Sequence, residues 1–319
     1  MSPDNPNLSR RDFIDLAGAA ALSTATLPWL HRLMHPVQSD TWRLPNVQGH
    51  PCSERLLLIG DIHSGLTDSP PRQANTQALS ALDNLVDHLQ DYPFSLLVQM
   101  GDMIRETENK STNTALYSQC LNVLCRLPFS AIHLLGNHDL YGISRDNLHQ
   151  IFQQYGLNPF YGVREYNDFQ VLWLDLVAPP DGSGTLPEAT IAWLENTVYP
   201  DTPTFIFSHY GIMPQNSEGN FYFHGARRLT ALANNREVWQ ALSGLPVQAV
   251  ISAHMHWGSY SKVGNTHLIT IPAFIENAAS PDSDNCPGIY SVLEITDPHR
   301  FTLKSYFGSN CLLNIEADS

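Results

Sequence analysis

Residues 56–63 read Leu56-Leu57-Leu58-Ile59-Gly60-Asp61-Ile62-His63, an apolar run that stops at a glycine and passes at once to acidic and imidazole side chains. Consecutive apolar residues bounded in this way read as a strand covered on both faces. The arrangement recurs downstream. Ser95-Leu96-Leu97-Val98-Gln99-Met100 runs into Gly101-Asp102, and Ala131-Ile132-His133-Leu134-Leu135 runs into Gly136-Asn137-His138-Asp139. Thr204-Phe205-Ile206-Phe207 runs into Ser208-His209, and Val247-Gln248-Ala249-Val250-Ile251 runs into Ser252-Ala253-His254-Met255-His256.

Amphipathic segments separate these strands. Residues 75–90 place Ala78, Leu82, Leu85, Val86 and Leu89 on one helical face. Asp146 is placed to cap a helix carrying Leu148, Ile151, Phe152 and Tyr155. Pro187 suits the first turn of a helix running to residue 196, with Ile191 and Leu194 inward. Alternating strands and helices predict an α/β architecture, in which ligands gather beyond the carboxyl ends of the strands. Residues 260–263 and 267–271 flank a Gly264-Asn265 turn and read as a hairpin, and residues 290–295 with 301–307 read as another. They predict antiparallel strands that complete a mixed sheet, in one body spanning residues 54–310.

With 43% hydrophobic and 15% charged residues, the 319-residue chain has material for a large core. Its 17 basic and 31 acidic residues give a net charge of -14, which excludes a broad basic footprint for nucleic acid. A phosphate substrate stays open, since bound metal ions supply positive charge locally. The five cysteines, Cys52, Cys120, Cys125, Cys286 and Cys311, have neither paired nor metal-finger spacing and read as small buried hydrophobes.

The strand ends carry the chemistry. Asp61 and His63, Asp102, Asn137 and His138, His209, then His254 and His256 offer carboxylate, amide and imidazole donors and no thiolate, a set suited to Zn, Fe or Mn. In Asp61-x-His63 and His254-x-His256 the spacing puts both donors on one face of an extended segment. Glycines at 60, 101 and 136 allow sharp turns and close backbone approach. A lone histidine in such a place is usually a satisfied polar residue; the ordered set at successive strand ends reverses that reading. His133, inside an apolar strand, reads as core. Arg105 is placed either to contact phosphate or to pair with Glu106 or Glu108, His224 lies in an aromatic surface loop, and Asn235 reads as a capping or substrate-side residue.

In the order D-x-H, G-D, G-N-H-D, H and G-H-x-H, these motifs resemble the calcineurin-like metallophosphoesterase superfamily over residues 56–307. Ala253 departs from the pattern, standing where that family usually has glycine, and is small enough to keep the ligands in place. The resemblance implies a four-layer sandwich of two mixed β-sheets flanked by helices. It implies two divalent or trivalent metal ions, one held by Asp61, His63, Asp102 and His256 and the other by Asp102, Asn137, His209 and His254. A water or hydroxide shared by the ions would attack phosphorus. His138 would act without binding metal, as acid or transition-state stabiliser. Asp139 would accept a hydrogen bond from His138 or cap the following helix, or do both.

The expected function is therefore a metal-dependent phosphoric ester hydrolase acting on a small phosphoester, foremost a phosphodiester. A phosphomonoesterase is the alternative. Purple acid phosphatases resemble the chain in motif, but they carry a ligating tyrosine where this sequence has Arg105, and the extra arginines of calcineurin-type protein phosphatases are absent. An inactive metal-binding scaffold is the remaining alternative, although such members lose ligands and this chain keeps them all.

Residues 1–46 read separately, as an export signal and linker. Ser9-Arg10-Arg11-Asp12-Phe13-Ile14 precedes the small-residue run Leu16-Ala17-Gly18-Ala19-Ala20-Ala21-Leu22, which resembles a twin-arginine signal and is too short for a membrane span. Asp15 stands where a basic residue is common, and Ser23-Thr24-Ala25 is only a weak cleavage site. The expectation is export to the periplasm or an equivalent compartment by the twin-arginine machinery; the alternative is a surface helix on a cytoplasmic protein. Replacing Arg10 and Arg11 by lysine should shift the protein to the cytoplasmic fraction of lysed cells, and unchanged fractionation would remove the export reading.

Overall fold

The structure is a computed structural model and describes residues 54–68, 73–197, 201–276 and 286–318. The export signal read from residues 1–46 lies outside the described residues. Among the described residues, no helix is long and apolar enough to cross a membrane.

Two six-stranded mixed sheets form the centre. In the first, β1 (Glu54–Ile59), β2 (Leu96–Gln99) and β3 (Ser130–His133) run parallel. The antiparallel strands β10 (Tyr290–Asp297), β11 (Arg300–Phe307) and β12 (Asn310–Asp318) continue it from the other edge of β1. The second has the order β4 (Gly162–Glu165), β5 (Gln170–Trp173), β6 (Thr204–Ser208), β7 (Val247–Ser252), β9 (Thr266–Thr270), β8 (Ser259–Val263). Its four central strands are parallel and its two outer strands antiparallel.

The continuous apolar runs follow from this layering, because central strands have both faces covered. Leu57 and Ile59 of β1 point toward α1 (Ala78–Leu89), α2 (Lys110–Leu124) and α4 (Arg145–Tyr155), while Leu56 and Leu58 point at the second sheet. In β6 and β7, Phe205, Phe207, Ala249 and Ile251 fill the space between the sheets. Ile206 and Val250 face the outer layer with α5 (Glu188–Thr197) and α6 (Asn235–Leu242). The architecture is α/β, two mixed sheets between helical layers, as expected.

Some boundaries differ from the sequence reading. The segment expected to be helical from residue 75 begins with a 3₁₀ turn, Asn75–Gln77, before α1. Ser144, not Asp146, caps α4: its hydroxyl accepts from Asn147 N, and Asp146 sits in the first turn. β4 and β5 are too short to announce themselves, and β12 carries the first sheet past residue 310. His133 is buried, and burial pushes its pKa down to about 4, so it packs as a neutral ring. Cys120 is buried, Cys286 intermediate, and Cys125 and Cys311 exposed; all four are free thiols.

The parallel strands β1, β2 and β3 of one sheet and β6 and β7 of the other deliver their following loops to one edge of the sandwich. The expected ligands stand on those loops, except Asn137, which opens the short helix that follows β3.

Candidate metal centre

The loops are bound to one another through backbone. Asp61 N donates to Gly101 O at 3.1 Å, His63 N to Asp102 O at 3.0 Å, and Ala253 N to His209 O at 3.0 Å. The sequence reading put the sharp turns in the glycines. The structure puts most of them in the ligands: Asp61, His63, Asp102, His254 and His256 are the non-glycine residues with positive φ among those described. That conformation costs on the order of 1–3 kcal/mol per residue and persists only where the surroundings over-determine it. Gly101 is also left-handed, at φ +94°, and a Cβ there would come within 2.6 Å of His209 Nδ1. Gly136 is needed for closeness, since a Cβ would overlap Asp102. Ala253 is not among the positive-φ residues, so the alanine at this position needs no glycine.

Each carboxylate has one oxygen tied down and one left facing the site. Asp61 Oδ2 accepts from His254 N at 3.1 Å, while its buried Oδ1 has no hydrogen-bond partner. Asp102 Oδ1 accepts from His138 N at 2.8 Å. Its Oδ2 lies 3.6 Å from His63 Nε2 and 3.2 Å from His209 Nε2. A single oxygen thus faces two groups of donors.

The first group comprises Asp61 Oδ1, His63 Nε2, His256 Nε2 and Asp102 Oδ2. His63 and His256 approach to 3.1 Å through Nε2, and Asp61 Oδ1 stands 3.9 and 3.6 Å from them. Bonds of about 2.0–2.2 Å to a common ion put donors roughly 3–3.5 Å apart, which is the spacing found, within a few tenths of an ångström. In the second group His209 Nε2 is 3.2 Å from Asp102 Oδ2 and 3.3 Å from Asn137 Oδ1. His254 lies with Asp102 and His209 in a donor set whose atoms are within 4.8 Å of one another.

Outer contacts fix how two of these rings are turned. His209 Nδ1 stands 2.8 Å from Met100 O and His254 Nε2 stands 3.1 Å from Leu229 O. A carbonyl can only accept, so each of these nitrogens carries the proton and the opposite nitrogen keeps a lone pair for the site. Tyr210 stacks on His254 with ring centroids 3.7 Å apart, and Phe223 leans on it at 4.9 Å.

The electrostatics call for a cation. Asp61, Asp102 and Asp139 are all buried, and no lysine or arginine belongs to the buried set of described residues. Burial pushes Asp61 up. Burial also raises Asp102, but His209 and His138 outweigh it and hold that carboxyl well below the usual range. Burial lowers His209, yet Asp102 beside it raises the ring to about 9. An ion would take over the proton's role in that pair, so uptake would release protons. The residues present fit a two-ion site.

His138 is in neither of these groups, although a nitrogen of its ring lies within 4.8 Å of donor atoms of His63 and Asp102, and its ring is 4.8 Å from that of His63. Its Nδ1 is 2.5 Å from Glu106 Oε2, and Arg105 Nη1 is 3.3 Å from both ring nitrogens. Of the two roles expected of Asp139, the hydrogen bond from His138 is not found and the helix cap is. Asp139 points away: Oδ1 accepts from Met103 N and Ile104 N, and Oδ2 accepts from Gly136 N at the start of α3 (Asn137–Gly142). Burial, with Asp102 nearby, pushes Asp139 up to about 7. It clamps the second and third loops together.

Of the other residues singled out, Arg105 reaches the site and His224 does not. His224 is exposed, its Nδ1 accepting from Gly219 N within its own loop. Asn235 is the first residue of α6 and donates its side-chain amide to Leu232 O, so the capping role expected of it is not found; no side chain caps that helix. Three residues at the centre escaped the sequence reading. Asn75 donates to His63 O at 2.8 Å, Asn220 donates to Met255 O at 2.8 Å, and Glu276 stands behind His256. No spacing announces the first two. Glu276 has a weak signal, an acidic residue ending the buried run Ile271-Pro272-Ala273-Phe274-Ile275.

A family model described as calcineurin-like phosphoesterase matches residues 54–258, more than half of the chain. No curated protein sequence matches it. Among solved structures, a dimetal phosphatase from Danio rerio is similar with a TM-score of 0.65 at 16% identity, over 83% of this chain and 99% of that one. A purple acid phosphatase from yellow lupin seeds gives 0.56 at 11% identity, over 85% of this chain and 54% of its own. The anchor in the inner membrane complex of Plasmodium gives 0.53 at 11% identity, over 84% and 89%. At these identities the likeness is one of fold.

The close packing of Gly136 against Asp102 generates a prediction. Gly136→Ala should displace the Asp102 loop and cut bound metal in purified protein, read by elemental analysis, while circular dichroism still reports the folded sandwich. Unchanged metal content in the variant would mean that Asp102 does not depend on that contact.

Proposed function

The chain belongs to the calcineurin-like phosphoesterase family, and on that premise we propose that it is a two-metal hydrolase of phosphoesters, phosphodiesters foremost. The observation that carries the proposal is Asp102 Oδ2, which faces His63 on one side and His209 on the other. Asp61, His63, Asp102 and His256 would hold one ion; Asp102, Asn137, His209 and His254 would hold the second. Mn, Fe and Zn all suit these donors. When bound, the ions supply a nucleophile at neutral pH and neutralise charge on the phosphoryl oxygens.

The chain's own groups supply the rest. Acting as an acid, His138 would carry a proton on each ring nitrogen: Nδ1–H donates to the Glu106 carboxylate, and Nε2–H is the proton delivered to the departing oxygen. Arg105 stands against the same ring and is placed to meet a phosphoryl oxygen. Opposite, the loop holding Tyr222 and Phe223 packs aromatic rings on His256 and His254. One guanidinium and an uncharged aromatic wall suit a monoanionic diester with a second organic group better than a monoester dianion.

Protein purified without chelator should contain metal and hydrolyse bis-p-nitrophenyl phosphate or a cyclic nucleotide faster than p-nitrophenyl phosphate. Asp102→Asn should lower kcat by about 10³-fold, the scale of losing a principal electrostatic stabiliser. His138→Gln should lower it about 10²–10⁴-fold with metal content unchanged. Preference for the monoester would select the phosphomonoesterase. Failure of the metal-replete protein to hydrolyse any of these esters, with Asp102→Asn changing nothing, would leave a binding scaffold.

A further inference from the structure

A metal-binding imidazole is set by what its outer nitrogen meets, and the four site histidines differ in this respect. His209 and His254 face the neutral carbonyls of Met100 and Leu229. His63 Nδ1 is buried without a hydrogen-bond partner. His256 Nδ1 faces a carboxylate, Glu276 Oε2, at 3.0 Å. Glu276 is the one glutamate in the buried set of described residues, so its position inside the protein calls for a specific partner. His256 is that partner. The amide of Gln73 also approaches the same nitrogen, but at 3.4 Å and without charge.

The segment that delivers Glu276 is firmly seated. Phe274 N donates to Gly60 O at 2.9 Å, and Ala273 N donates to His256 O at 3.3 Å. The side chains of Phe274 and Ile275 are buried in the core beneath the helices. Backbone bonds thus tie the segment after β9 that carries Glu276 to both the Asp61–His63 loop and the His254–His256 loop.

We propose that Glu276 is the positioning residue of the first ion, a role resting on the two-metal reading above. Its carboxylate accepts the Nδ1 proton of His256, fixes the tautomer whose Nε2 lone pair faces Asp61 and His63, and strengthens that imidazole as a donor. One ion of the pair therefore has a charged outer support, and the other is supported by neutral carbonyls. The two ions should bind with unequal dependence on residue 276.

The test is a Mn²⁺ titration of the full chain after metal removal, read by binding isotherm and by electron paramagnetic resonance. Glu276→Gln and Glu276→Leu should each weaken one of the two ions about 10–100-fold and leave the other within about threefold, the scale of losing an outer-shell partner. At one equivalent the variants should show isolated Mn²⁺ and develop the spin-coupled signal only at higher metal. Glu276→Asp should restore part of the affinity. Thermal unfolding of metal-free Glu276→Gln should match the wild type, which separates positioning from packing. Two ions bound at wild-type affinity in both variants would overturn the assignment, as would loss confined to the leucine variant. A wild type that takes up no Mn²⁺ would overturn the two-metal reading and this one with it.

Discussion

The centre depends on one constraint: each ligand loop holds a side chain or backbone group of the next. Asp61 is held by His254 N, Asp102 by His138 N, and His209 by Met100 O. Carboxylates fixed through one oxygen present the other without rotamer freedom, and histidines fixed through one nitrogen present the other in a single tautomer. The same cross-links explain how five non-glycine residues stay in a left-handed backbone conformation, since no loop can relax alone.

The two sheets make that interlock possible. Parallel strands from both deliver their carboxyl ends to one edge, and the apolar layer between them, with Phe205, Phe207 and Ile251 among its members, fixes the sheets relative to each other. Asp61 and Asp102 come from the first sheet, His209 and His254 from the second. The donor groups therefore span the sandwich, and their spacing is set by core packing.

Much of this was legible in the residues. Runs such as Leu56-Leu57-Leu58-Ile59 announce strands covered on both faces, and the donors that follow each run mark one edge of the fold. Residue types and spacing alone could not show which donors share an ion, because that depends on side-chain direction after the turns; the division came from the family resemblance. The sequence reading credited the turns to Gly60, Gly101 and Gly136, of which Gly101 alone is left-handed while five ligands are, and it gave His138 the wrong partner. Asp139 adjoins His138 in sequence, but helix α3 turns its carboxylate back onto the backbone N–H groups of Gly136, Met103 and Ile104. Glu106 takes its place from a different loop. Asn75, Asn220 and Glu276 support the centre from segments whose pairing is purely tertiary, so no local pattern points to the first two and only the end of a buried run points to the third.

Chemistry at this edge turns on whether one oxygen of Asp102 serves two ions. Anomalous diffraction from crystals of the Mn²⁺-loaded protein measures this directly. Two peaks flanking Asp102, one among Asp61, His63 and His256 and one among Asn137, His209 and His254, are the result expected. A single peak, or peaks that leave Asp102 outside the coordination of either ion, would contradict the account.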